Sequence, residues 1–252
     1  MNSSIENTPC VILAAGISRR LRPLTDDRPK CLLEVNGTTI LQRMLENIFA
    51  TGIRRVAIVV GYKAEMIREH LRAKFSQKRF KFILNPNYST TNNAYSLLLA
   101  KKFLEDENGK VAGNFLLLDS DLVFISSLLP EFLSHAARNK IAVRILGEHN
   151  DEEIGVTVNA EGIITNIGKH LAGAVGESVG MELFAPSTAT KLFRVLEQRV
   201  HSGIGRTEFY EASFQQLIEH GTKLSMVNVD SFPVIEIDTP EDYRQAQQLI
   251  LC

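Results

Sequence analysis

An alternation of short apolar runs with helical-period segments, running from residue 10 to about residue 146, constrains the fold of this chain more than any other feature. Cys10 to Ala15 (CVILAA) is an unbroken apolar run of buried-strand length. Thr39 to Ala50 sets Ile40, Leu41, Met44, Leu45 and Ile48 at helical spacing, and Gly52 ends that segment. Strand patterns follow at Arg55–Val60, Phe80–Leu84, Asn114–Leu118 and Ile141–Leu146. Helical patterns at Ala64–Phe75, Thr91–Leu104 and Leu128–Asn139 separate them. Strands read as continuous apolar runs, with helices between them, predict an α/β fold with a mostly parallel sheet covered on both faces.

The pattern changes after Gly147. Gly155–Asn159 and Ile163–Ile167 read as a β-hairpin turning at Ala160-Glu161-Gly162, and Gly176–Phe184 as a further strand. Helices are expected at Pro186–Val200 and Glu208–His220, and a strand at Lys223–Val229. Val234–Ile237 forms a last apolar strand. A closing helix over Pro240–Leu251 has Thr239 as N-cap and Asp242 three residues on. No linker, repeat or low-complexity stretch interrupts the chain, so we expect one domain over 1–252. Its nucleotide-binding half would span about 1–146 and its acceptor-binding half, with a small β insertion, about 147–252.

Composition excludes several classes of function. Lys plus Arg total 28 against 29 Asp plus Glu, a formal net charge of −1, which gives no global attraction to nucleic acid or an anionic membrane. No apolar run is long enough to span a bilayer, and MNSSIENTPC carries no cationic or apolar leader region. Cys10, Cys31 and Cys252 match no zinc or redox spacing, and a reduced cytoplasmic setting is expected. The scattered histidines offer no local metal motif.

The segment from Leu13 to Lys30 (LAAGISRRLRPLTDDRPK) directly follows the first strand, and ligands of open α/β sheets lie beyond the carboxyl ends of strands. Leu13, Ala14, Ala15 and Gly16 let a nucleotide approach the backbone, Gly16 having no side chain at all. Arg19, Arg20, Arg22, Arg28 and Lys30 crowd the loop, a charge that a polyphosphate would complement. Neither GxxxxGK[ST] nor GxGxxG occurs, which argues against P-loop and dinucleotide-binding readings.

Leu13-Ala-Ala-Gly-x-Ser-x-Arg20-Leu-x-Pro23-Leu-Thr with Pro29-Lys30 resembles the signature of the nucleotidyltransferases that make sugar nucleotides and CDP-alcohols. The resemblance continues through Val35-x-Gly37, Val60-Gly61-Tyr62, Asp119-Ser-Asp121 and Glu236-Ile-Asp238-Thr-Pro-Glu-Asp242, and so covers nearly the whole chain. It implies a Rossmann-like mixed sheet, phosphate-holding catalytic roles for Arg20 and Lys30, and Mg²⁺ held by Asp121 and Asp238. Strand alternation puts Asp119 and Asp121 on one side of the chain at a strand end, and hard carboxylate oxygens suit Mg²⁺. Asp119 can equally cap the following turn.

Thr91-Asn-Asn-x-Tyr-Ser-Leu is similar to the cytidylyltransferases of phosphocholine and 2-aminoethylphosphonate, where sugar nucleotidyltransferases carry a glycine-rich segment. Asn92, Asn93 and Ser96 are therefore expected at the base or ribose of CTP, and Thr91 or Asn92 can also cap a helix. Lys169 matches the family's lysine after the hairpin and would hold the acceptor's phosphate or phosphonate. Glu177, Ser178, Glu208, Tyr210 and Glu211 complete the expected acceptor set, although Glu208 and Glu211 also suit a helix's first turn. The chain has no Trp, the best face for a quaternary ammonium, which favours 2-aminoethylphosphonate over phosphocholine. Phosphoethanolamine, a sugar or inositol phosphate, and a non-catalytic nucleotide-sensing module are the alternatives. Homodimer formation stays open.

Overall fold

The computed structural model describes residues 3–75, 80–145 and 153–249. Its strands in chain order are β1 (Cys10–Ala14), β2 (Glu34–Val35), β3 (Thr38–Thr39), β4 (Val56–Val60), β5 (Phe80–Leu84), β6 (Phe115–Asp119) and β7 (Leu122–Phe124). Then come β8 (Lys140–Ile145), β9 (Gly155–Val158), β10 (Ile164–Gly168), β11 (Gly176–Phe184), β12 (Ser225–Asn228) and β13 (Val234–Glu236). The helices are α1 (Ser3–Glu6), α2 (Ile40–Ala50), α3 (Ala64–Lys74), α4 (Asn93–Leu99) and α5 (Lys101–Leu104). The rest are α6 (Leu128–Ser134), α7 (Pro186–His201), α8 (Glu211–Glu219) and α9 (Pro240–Ala246).

The expected α/β fold with a largely parallel mixed sheet is present. A nine-stranded sheet runs β10-β9-β11-β6-β1-β4-β5, with β8 on the other side of β11 and β12 beyond β8. β5, β4, β1 and β6 are parallel neighbours, while β11 is antiparallel to β6 and to β8. Alternation along β1 shows how both faces are filled. Cys10, Ile12 and Ala14 enter one apolar core with Leu41, Met44 and Leu45 of α2 and Ile67 of α3. Val11 and Leu13 enter the opposite core with Leu97 of α4, Leu192 and Leu196 of α7 and Phe214 of α8. Cys10 and Cys31 are buried free thiols, and Cys252 lies outside the described residues.

Several element boundaries differ from the sequence expectation, and local contacts explain some of them. The helix expected over Thr91–Leu104 is capped by Asn92 and broken by a turn at Ala100. The helix expected to reach Asn139 stops at Ser134, where the Lys140 ammonium donates to the carbonyls of Leu133 (3.1 Å) and His135 (2.7 Å). That takes over the carbonyls that would have continued the helix. The helix expected from Glu208 begins at Glu211, and the closing helix ends at Ala246. The ends expected at Leu146 and Leu251 fall outside the described residues.

The sequence predicts neither of two small antiparallel pairs, although it does predict the strand at Val234–Ile237 where β13 forms. β2 and β3 turn at Asn36 (φ 51°) and Gly37 (φ 75°), the paired positive φ of a two-residue hairpin. β7 pairs with β13, so the chain just after Asp121 is tied to the chain just before Asp238. Among the described residues no helix is long and apolar enough to cross a membrane.

Candidate active site

Strand register sets the site. Leu13 of β1 lies beside Asp119 of β6, so the loop after β1 and the carboxylates after β6 leave the same edge of the sheet. The basic loop is anchored by Leu21, which is wholly buried in a third apolar cluster with Leu33, Val35, Val123 and Ile237. Thr25 donates to the Ser18 carbonyl (3.0 Å), and the Tyr62 hydroxyl donates to the carbonyls of Thr25 and Asp26 (3.1 Å each). Gly61 is required beneath this loop, because a Cβ there would fall 2.7 Å from the Ala15 carbonyl oxygen and 2.5 Å from Tyr88 Cβ.

A cavity of about 820 Å³ opens at this edge. Leu13, Ala14, Ala15, Gly16, Arg20 and Lys30 are on its lining, with Asn92, Asn93 and Ser96 of the α4 start. Asp119, Asp121 and Asp238 line it too, as do Lys169, Glu177, Ser178 and Glu211. Two expected site residues are not on this lining. Tyr210 is wholly buried behind it, its hydroxyl donating to Asp119 Oδ2 at 2.8 Å. Glu208 is held by Arg199 in a two-pronged ion pair (2.9 and 2.8 Å) and faces an adjoining cavity of about 700 Å³.

The charged centre is built from distant parts of the chain. Lys30 Nζ lies 2.5 Å from Asp121 Oδ2 and 2.8 Å from Asp238 Oδ1, and Arg20 reaches Asp238 Oδ2 at 2.7 Å. Burial works against the Lys30 ammonium, but Asp121 and Asp238 outweigh it and hold its pKa above the ordinary value. Burial likewise pushes the Asp238 carboxyl up, and Lys30 and Arg20 overcome it, leaving a net lowering. The capping box at the start of α9 fixes Asp238, because Asp242 Oδ2 accepts from the backbone N–H of Asp238 (3.1 Å) and of Thr239 (2.7 Å).

Carboxylate oxygens of Asp121, Glu236 and Asp238 lie within 4.8 Å of one another. Asp121 Oδ1 is buried with no hydrogen-bond partner among the described residues. Burial and then the charges of Asp121 and Asp238 push Glu236 well above its ordinary pKa. Three hard oxygen donors sharing a small space, one of them unsatisfied, fit a divalent cation such as Mg²⁺. Glu236 lies outside the sequence-derived ligand pair. Its spacing two residues before Asp238 on a strand was the available signal.

The polar residues at the start of α4 hold the cavity wall together. The Asn92 side chain accepts from the Asn93 N–H (2.8 Å), Asn93 Oδ1 accepts from the Tyr210 N–H (2.8 Å), and Ser96 Oγ accepts from Asn85 Nδ2 (3.0 Å). Also on the lining, Arg144 pairs with Glu177, and Lys169 Nζ sits 4.8 Å from the Phe209 ring centroid. Burial raises the pKa of Glu211 to about 7 even with Lys169 nearby.

A basic loop ion-paired to a carboxylate cluster beside a cavity, at the strand ends of an open α/β sheet, is suited to handling phosphates. The chain belongs to the nucleotidyl transferase family, whose sequence profile matches residues 10–167. It is an enzyme of that family. It is similar to the choline-phosphate cytidylyltransferase of Streptococcus pneumoniae, with 25% identity over 243 residues, covering 95% of this chain and 97% of that protein. It is also similar to the CMP-5'-(3-aminopropyl)phosphonate synthase of Streptomyces rubellomurinus, with 26% identity over 94% of this chain, which spans only 38% of that longer protein. The solved structure of the Streptococcus pneumoniae CTP:phosphocholine cytidylyltransferase superposes with a TM-score of 0.78 at 22% identity, covering 96% of this chain and 98% of that one.

Proposed function

We propose that this chain transfers a cytidylyl group from CTP to phosphocholine, releasing pyrophosphate. The observation that carries the reading is the Lys30–Asp121–Asp238 cluster facing the loop after β1. The nearly full-length match to a choline-phosphate cytidylyltransferase supports the choice of nucleotide and acceptor.

An acceptor phosphate oxygen would attack the α-phosphorus of CTP as the bond to the bridging oxygen breaks, and pyrophosphate leaves with that electron pair. The acceptor's second pKa is about 6, so near neutral pH it is largely a dianion and needs no general base. Catalysis then rests on positioning and on fixed charge around the phosphates. Lys30 and Arg20 would neutralise the triphosphate, and the loop after β1 would bring backbone N–H groups close to it. Asp121, Glu236 and Asp238 would hold Mg²⁺, which supplies charge neutralisation and orientation of the phosphates. Asn92, Asn93 and Ser96 would sit against the cytidine, with Asp119 below it. Lys169 would hold the acceptor phosphate, with Glu177, Ser178 and Glu211 around its head. The division of labour between residues 1–146 and 147–252 is part of this proposal.

A second reading, 2-aminoethylphosphonate as acceptor, is favoured by one observation. Among the described residues Tyr88 and Phe209 are the aromatics lining the cavity, and Lys169 already covers the Phe209 ring, so there is no aromatic cage. Pyrophosphate release with Mg²⁺ separates the readings. The proposal expects CTP to exceed UTP and phosphocholine to exceed both 2-aminoethylphosphonate and phosphoethanolamine. A preference for 2-aminoethylphosphonate would install the second reading, and a sugar phosphate as best acceptor would overturn both.

A further inference from the structure

Two helix starts distant in sequence meet beside the cavity, and one side chain joins them. Asn93, the first residue of α4, accepts the backbone N–H of Tyr210 on its Oδ1 at 2.8 Å. Tyr210 immediately precedes α8, is wholly buried, and is flanked by Phe209 and Glu211, both on the cavity lining. Its hydroxyl donates to Asp119 Oδ2 at 2.8 Å, so Tyr210 is held at its main chain by α4 and at its tip by β6. Asn92 extends the seam, its N–H donating to the Arg206 carbonyl (2.8 Å) and its Nδ2 to the Thr207 carbonyl (3.4 Å).

The two sides of this seam depend on the Asn93 side chain unequally. The start of α4 has its own supports, since Asn92 Oδ1 accepts the Asn93 N–H (2.8 Å) and Asn85 Nδ2 donates to Ser96 Oγ (3.0 Å). Neither bond uses the Asn93 side chain. On the other side, the Tyr210 N–H has the Asn93 amide as its acceptor among the described residues. A buried N–H without an acceptor is costly, so the main chain at Tyr210 would shift to regain one. Glu208 is tied to Arg199, and the cavity residues that adjoin Tyr210 are Phe209 and Glu211. Both are neighbours of Lys169, whose ammonium lies 4.8 Å from the Phe209 ring centroid and whose charge acts on the Glu211 carboxyl.

We infer that Asn93 is a positioning residue for the acceptor: through the Tyr210 N–H it sets Phe209 and Glu211 against Lys169. The inference rests on the cytidylyltransferase reading, which puts the acceptor at Lys169. It gives Asn93 a task besides its contact with the cytidine. With Oδ1 committed to Tyr210, the end of the amide left for a ligand is Nδ2, a donor. The two ends of one amide thus serve two substrates, and substitution can separate them. A residue that only satisfied a buried N–H would, when changed, lower stability without favouring one substrate over the other.

The test compares KM for CTP with KM for the acceptor in the intact protein, Asn93→Ala and Asn93→Asp. The acceptor is whichever of phosphocholine, 2-aminoethylphosphonate, phosphoethanolamine and a sugar phosphate the intact protein turns over fastest. Asn93→Ala is expected to raise the acceptor KM about tenfold, and at least about threefold more than it raises the KM for CTP. Asn93→Asp keeps an oxygen for the Tyr210 N–H but has no Nδ2. It should return the acceptor KM to within about threefold of the intact protein while the KM for CTP stays raised. Equal rises for both substrates in Asn93→Ala, or an acceptor KM that Asn93→Asp does not restore, overturn the inference. Amide hydrogen exchange tests the intact protein, whether or not the variants fold. The Tyr210 N–H is expected to exchange about a hundredfold or more slowly than an unstructured amide, and to slow about threefold further when that acceptor binds. Fast exchange, or exchange indifferent to the acceptor, overturns the inference. Absence of turnover with every acceptor sinks the reaction proposed above and takes the inference with it, whereas turnover with unchanged KM values in Asn93→Ala sinks the inference alone.

Discussion

Asp121 and Asp238 compete for Lys30 in this structure, so each controls more than its own oxygen atoms. Removing either leaves a buried ammonium with half its compensation, besides removing a candidate metal ligand. Asp121→Ala and Asp238→Ala are each expected to lower kcat by about a hundredfold or more while the circular dichroism spectrum is retained. Rates near those of the unaltered protein in either variant would remove that residue from the site. Glu211 gives a pH signature. Its pKa is raised by burial to about 7, so the folded protein holds more protons than the unfolded chain between about pH 4.5 and 7. Stability contributed by this group is therefore lost as pH rises through that window. Affinity for a cationic acceptor should rise over the same window, because Glu211, on the cavity lining, gains its charge there. Glu211→Gln should flatten the pH dependence of KM that remains after the acceptor's own ionisation is corrected for. Lys30, Asp121 and Asp238 were legible because long motifs carry them. Glu208 was expected in the acceptor set from the family resemblance, with a helix's first turn as the alternative; that helix begins three residues later and Arg199 captures the side chain.

Among the elements, β11 pairs with three other strands. It pairs with β6 through Met181–Phe184, with β9 through Gly176 and Glu177, and with β8 through Gly176–Ser178 and again at Glu182 and Leu183, with a register shift between Ser178 and Glu182. Gly180 sits inside that shift at φ +67°, and a Cβ there would lie 2.9 Å from Asp119 Cβ. Gly180→Ala therefore meets both backbone strain and a clash, and is expected to cost about 1–3 kcal/mol, read as a lowered denaturation midpoint. A midpoint unchanged from that of the parent protein would show that β11 can shift without harm. Regular elements of this sheet were largely readable because apolar runs and helical spacing are local signals. Short ones were read less fully. β7 holds only three residues and was not expected, and β13 was expected as a strand but its pairing with β7, distant in sequence, was not. The early end of α6 depends on Lys140, a contact that no local pattern encodes.

At the scale of the molecule, two apolar cores flank the sheet and a third gathers the basic loop, α9 and the β7–β13 pair. Anything that binds only the folded site raises apparent stability by mass action. Mg²⁺ with CTP should raise the melting temperature measurably, CTP with a chelator should raise it far less, and Asp238→Ala should abolish the difference. Equal shifts with and without the chelator would remove the metal from the site. The β7–β13 pair also has a consequence in time. Lys30 and Asp238 are 208 positions apart, and Asp238 is placed only once β13 pairs with β7 and α9 is capped. A chain leaving the ribosome amino end first can shape its phosphate loop early, yet its charged centre closes only after residue 242 has emerged. Competence thus arrives late in synthesis, so a nascent chain halted upstream of that point would carry most of the sheet and draw nothing from the cell's nucleotide pool.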